Sequence, residues 1–65
     1  MTLKDLVLAG MIAQNEEIVV SRKTNTGNYD IRKGCWYEDH VLEFFNREID
    51  VLNWSFKRGL QVVCR

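Results

Sequence analysis

The side chains able to do chemistry are few and scattered. His40 is the only histidine, and no serine or cysteine stands where it would acquire a base and an orienting group for nucleophilic attack. Asp39 and Glu43 fall four apart and could face one way on a helix, but a helix cap and a solvated turn account for both. Cys35 and Cys64 lie far apart with no CxxC pair. A structural zinc site takes about four ligands at short spacing, so neither a metal nor a cofactor is expected. The two cysteines read as reduced, half-buried thiols; a disulfide between them requires their strands to be neighbours. No glycine-rich loop follows a strand to cradle a phosphate. The residue types point away from catalysis, and the chain reads as non-enzymatic.

Charge and aromatic surface remain. Nine basic residues balance nine acidic ones, but unevenly along the chain. From Glu38 to Asp50 five acids (Glu38, Asp39, Glu43, Glu48, Asp50) stand against Arg47. From Arg22 to Lys33 four bases (Arg22, Lys23, Arg32, Lys33) stand against Asp30. As ordinary surface, these charges are solvated, with Glu43 and Arg47 as an i,i+4 pair. As function, the acidic stretch suits a basic site on a nucleic-acid-handling protein, and the basic stretch suits phosphates. Direct nucleic-acid binding is the lesser expectation, since such proteins carry a net basic balance. Phe44 or Phe45, Trp54 and Phe56 are expected in the core, because each aromatic buries roughly 150–250 Å². Trp36 and Tyr37 are adjacent, so in a strand they point to opposite faces and one is left as a candidate interface anchor.

Those groups must be positioned by a chain of 65 residues, which is one domain over residues 1–65. Its 46% hydrophobic content and zero net charge exclude a disordered chain. No apolar run approaches the ~20 residues that span a bilayer, and Lys4 and Asp5 interrupt what a secretory leader would keep apolar. A cytoplasmic location without membrane attachment is expected. So small a domain buries only about 60% of its unfolded surface. It has little room for a pocket of the ~300 Å³ that a small ligand needs. Partner binding or a homodimer is favoured instead.

The pattern predicts six elements. Thr2 with Asp5 three residues on opens a helix carrying Leu3, Leu6 and Val7, and Gly10 stops it. Glu17 to Lys23 is a β-branched strand, Thr24 to Asn28 a turn, and Tyr29 to Tyr37 the returning strand, with a bulge at Gly34. Asp39 caps a second helix reaching Asn46, with Val41, Leu42, Phe44 and Phe45 as its stripe. Glu48 to Phe56 is a third strand; the opposite parity of Ile49 and Val51 implies a bulge near Val51 or partial cover of both faces. After the turn Lys57-Arg58-Gly59, a fourth strand puts Leu60, Val62 and Cys64 on one side. The order is α-β-β-α-β-β. An α+β fold is expected, a four-stranded antiparallel sheet with both short helices on one face. A small barrel-like sheet plugged by the second helix is the alternative.

The stretch from Gly34 to Asp50, GCWYEDHVLEFFNREID, resembles a motif in small proteins of Firmicutes prophages and other mobile elements. Their pattern runs small-x-aromatic-aromatic-acid-Asp-x-aliphatic-Leu-x-aromatic, then Arg-Glu-aliphatic. Leu3-Lys4-Asp5-Leu6, followed by Ala9-Gly10-Met11-Ile12, is also similar to theirs. The resemblance implies a mobile-element origin and no particular activity. The expectation is a small protein-binding module that inhibits a bacterial defence protein. Its site would be the acidic set, with Trp36 and Tyr37 as anchors. The alternatives are a homo-oligomer with a ligand or nucleotide site between subunits, and a nucleic-acid accessory protein using the basic hairpin.

Overall fold

Thr2 opens helix α1 (Leu3–Leu8) as the spacing predicts. Its hydroxyl accepts the Asp5 N–H while the Asp5 carboxylate accepts the Thr2 N–H at 2.8 Å, a reciprocal cap. Gly10, just past the helix, takes φ +74°, a conformation that costs glycine least. The computed structural model describes residues 1–65. Four strands follow the expected order: β1 (Ile18–Lys23), β2 (Tyr29–Gly34), β3 (Ile49–Ser55) and β4 (Gly59–Cys64), with helix α2 (Asp39–Leu42) between β2 and β3.

The sheet is mixed, in the order β2-β1-β4-β3. Both hairpins are antiparallel, but their inner strands β1 and β4 run parallel, which corrects the purely antiparallel expectation. The segment from Cys35 to Glu48 carries the chain across the sheet and back to the end from which β2 began. A parallel crossover needs about a dozen residues, and this one has them. Both edges stay open, so the barrel alternative does not apply.

Alternation places the core. Ile18 and Val20 of β1 and Leu60, Val62 and Cys64 of β4 face Leu3 and Leu6 of α1 and Val41 and Phe44 of the α2 segment. Ile12 completes the cluster, and Val7, Trp36, Phe45 and Ile49 pack on its margin. Burial raises the Cys64 thiol above its ordinary value. Cys35 lies beyond the end of β2, which β1 separates from β4. Two strand spacings of ~4.8 Å exceed the reach of a disulfide, and both cysteines are free.

Three local expectations are corrected. β2 stops at Gly34 rather than running to Tyr37, so no bulge is needed and Tyr29, Ile31 and Lys33 all face outward. Helix α2 spans four residues and its N-cap is Glu38, not Asp39; the Glu38 side chain turns back to accept the Cys35 N–H. Past Leu42 the N–H groups of Phe44, Phe45 and Arg47 bond to the carbonyls three residues back, so the chain continues in turns rather than as α-helix. The bulge expected near Val51 is present between Ile49 and Val51. No helix is long and apolar enough to cross a membrane.

Candidate protein-interaction surface

The two helices are about 9 Å and about 6 Å long at 1.5 Å per residue. They cover β1, β4 and the neighbouring part of β2 but do not reach β3. Leu52 and Trp54 stand opposite Val62 and Leu60, on the helix side of the sheet, yet they are 41% and 62% exposed. Phe56, in the turn after β3, is 93% exposed. The core places expected for Trp54 and Phe56 are therefore wrong. Residues of the right type and parity lie where no helix comes down on them.

Trp36 reverses in the other direction. Its ring stacks on Phe45 at 6.0 Å between centroids and meets Tyr37 edge-on at 5.6 Å. It packs against the core margin. Tyr37 is the exposed member of the pair, and its hydroxyl donates to Asn15 Oδ1 at 3.3 Å. The nearby Cys35 side chain first, then partial burial and last Glu38, raise its phenol above the ordinary value. Of the two candidate anchors, Tyr37 is the one on the surface.

The charged residues do not form an acidic face and a basic face. Arg32 extends from the helix side of β2 to Glu43, to Asp30 at 3.1 Å and to the His40 carbonyl at 3.0 Å. Its guanidinium lies 5.0 Å from the centre of the Phe44 ring. The strongest contact between the acidic and basic stretches is thus internal, and it ties α2 to β2. Lys33 pairs with Glu17 at 3.3 Å on the other face, and Lys23 shares that face with it. Arg22 stands opposite Asp30 on the helix side, so the four bases divide between the two faces of the hairpin. Among the acids, Glu48 meets the N-terminal amine and Asp50 meets Arg65 at 3.6 Å. Glu38 is turned to the Cys35 N–H, and Asp39 carries no ion pair. Glu38, Asp39 and Glu43 stand at the β2 edge and Glu48 and Asp50 at the β3 edge. The two edges are three strand spacings apart, about 14 Å.

The face of the sheet away from the helices is uncovered. Register aligns Ile31, Ser21, Val63 and Val51 in one row across all four strands. Val19 stands in the next row between Lys33 and Gln61, and Tyr29 lies beyond the first. Ile31, Tyr29 and Val51 are more than half exposed. Exposed apolar side chains in a contiguous row mark interaction surfaces. This face was missed as a site, although the apolar runs Ile18-Val19-Val20 and Val62-Val63 signal it. In a strand such a run places apolar groups on both sides. Toward the β3–β4 turn the same side holds an open depression of about 390 Å³ lined by Asn53, Ser55, Phe56, Lys57, Arg58 and Gln61.

His40 Nε2 lies 2.7 Å from the Lys33 carbonyl, where it helps hold α2 on β2. No three of the His, Cys, Asp and Glu side chains come together as metal ligands would. Compared with known proteins, the chain matches no family model, no curated sequence and no solved structure.

Proposed function

We propose that the chain is a small non-enzymatic protein-binding module, and that its partner docks on the uncovered face of the sheet. The observation that carries this reading is the row Ile31-Ser21-Val63-Val51, which runs across every strand with no layer over it. The likeness of the Gly34–Asp50 stretch to prophage and mobile-element proteins supports a bacterial target, of the defence class, and an inhibitory role. Glu38, Asp39 and Glu43 stand with α2 at the β2 edge, Glu43 on the helix side, and Glu48 and Asp50 stand at the β3 edge. In this reading they steer a basic partner, while the apolar row supplies the adhesion.

The test is capture of the partner from the bacterial host with the tagged chain, identified by mass spectrometry. Ile31→Glu places a charge at the β2 end of the row, at an exposed position, and should abolish capture with the fold intact. Asp39→Lys, at an acid that holds no ion pair within the chain, should weaken capture and flatten its dependence on salt. Retention of the same partner by the Ile31→Glu variant would exclude the open face.

A further inference from the structure

The two edges of the sheet are treated differently, and one of them is built to meet its own copy. At the β2 edge, Asp30, Arg32 and Lys33 put three charges into six residues. Arg32 is tied into α2, and the Lys33 carbonyl is already taken by His40. Charges and cover of this kind block strand addition. At the β3 edge, seven residues carry one charge, Asp50, and neither glycine nor proline. From Asp50 to Ser55 no backbone group bonds to anything outside the β3–β4 hairpin. The side chains along that edge are apolar on the helix side, Leu52 and Trp54, while on the open side Val51 is followed by Asn53 and Ser55.

The strand is also self-complementary in charge. Its leading end carries Glu48 and Asp50, and the turn at its far end carries Lys57 and Arg58. When two copies of such a strand pair antiparallel about a two-fold axis, each acidic end lies against the other copy's basic turn. Placing the axis at Asn53 sets Leu52 opposite the second copy's Trp54 and Val51 opposite its Ser55. Beyond this span each copy's bulged Glu48–Asp50 end lies toward the other copy's Lys57–Arg58 turn. Moving the axis to Leu52 sets Trp54 against Asp50 and loses the pairing of opposite charges. A two-fold axis normal to the sheet also keeps both helix layers on the same side, so Leu52 and Trp54 are shielded by each other rather than by a helix.

We propose that β3 pairs with β3 of a second copy of this chain, antiparallel and centred on Asn53, to give one continuous eight-stranded sheet. The surface is distinct from the centre of the open face used in the partner reading, so either can fail alone. The dimer doubles the open face and presents two copies of the row on one plane.

Sedimentation of the full chain from low micromolar to millimolar concentration tests the pairing. The expected result is a reversible doubling of the 7.7 kDa mass. Two variants, Glu48→Lys with Asp50→Lys and Lys57→Glu with Arg58→Glu, should each raise the dimer Kd on the order of tenfold or more at low salt. Mixing these two variants should restore a heterodimer, because every junction again joins opposite charges. Lys57 and Arg58 make no ion pair within the chain, so the second variant leaves the fold intact even if the first does not. Trp54→Lys, at an exposed position, should abolish the dimer with the circular dichroism spectrum unchanged. A chain that stays monomeric throughout would overturn the proposal. So would a dimer indifferent to Trp54→Lys, or charge variants that fail to rescue each other.

Discussion

The β1–β2 hairpin and the β3–β4 hairpin are the same motif placed at opposite edges of one sheet, and they end differently. The first is finished within the chain. α2 packs against β2, Arg32 ties Glu43, Asp30 and the His40 carbonyl together over Phe44, and His40 meets the Lys33 carbonyl. The second has its inner strand in the core and its outer strand bare, with Leu52, Trp54 and Phe56 exposed. Strand chemistry does not separate the two, since β3 is the more apolar outer strand and is nevertheless the less buried. What separates them is reach. Helices of six and four residues are too short to cover four strands, and α2 packs on the edge strand β2.

The sharpest way to test that contrast is in the core that both hairpins share. Leu6 is 1% exposed and touches the sheet centre, so Leu6→Ala should cost about 2–5 kcal/mol. That is most of the stability of a domain this size, at roughly 0.05–0.15 kcal/mol per residue. Loss of cooperative melting by calorimetry is the expected outcome. A melting temperature near that of the parent would mean that α1 does not seal the sheet.

Arg32→Met asks whether the β2 edge is held by its charge tie. The residue is about three-quarters buried, so the loss should be about 1–2 kcal/mol by denaturant titration. The exposure of Glu43 keeps the expected loss at the low end of charged hydrogen bonds. Hydrogen exchange should accelerate in β2 and α2 and not in β3. Uniform acceleration would show that the two edges are not independent.

Thr2→Ala removes the cap of α1 and should cost about 1 kcal/mol. The Thr2 backbone N–H holds the Asp5 carboxyl below its ordinary value of 3.8. A carboxyl lowered in the folded state contributes stability above its unfolded value and loses it as pH falls through the folded one. The gap between parent and Asp5→Asn should therefore be present at neutral pH and close below about pH 4. A gap independent of pH would remove the charge from the cap.

The smallest expected effect carries the comparison furthest. Trp54→Ala at dilute, monomeric concentration should change stability by within about 0.5 kcal/mol, as exposed substitutions do. Phe45→Ala should cost clearly more, because Phe45 is half-buried under Trp36. If Trp54→Ala unfolds the monomer, the β3 edge is a core edge and not a docking edge.

Much of this was legible in residue order, element by element. The Thr2–Asp5 cap, the stop at Gly10 and the inward alternation of Leu60, Val62 and Cys64 all follow from spacing, because each is set within one turn or one strand. At Ile49 and Val51 spacing left a bulge and two-sided cover as alternatives, and the pairing with β4 chose the bulge. The candidate surface was legible only in part. The acidic and basic stretches are real as sequence, but Arg32 and Glu43 cancel each other across the β2–α2 junction. Tyr37 is the exposed one of the two anchors and Trp36 the one drawn toward the core, although both lie past the end of β2 where strand alternation does not apply. Trp54 and Phe56 were misplaced because alternation says which face a side chain takes and not whether another layer covers that face.

By itself, then, the sequence determined the elements, their order and the inward side of β4, since those depend on torsions and neighbours a few residues away. Only the tertiary structure decided that β1 and β4 run parallel, that α2 sits at the β2 edge and that β3 past Ile49 is left bare. Those outcomes depend on how far the Cys35–Glu48 crossover travels and on what its short helix can reach. No local pattern carries that information, because it is a property of the whole chain packed against itself.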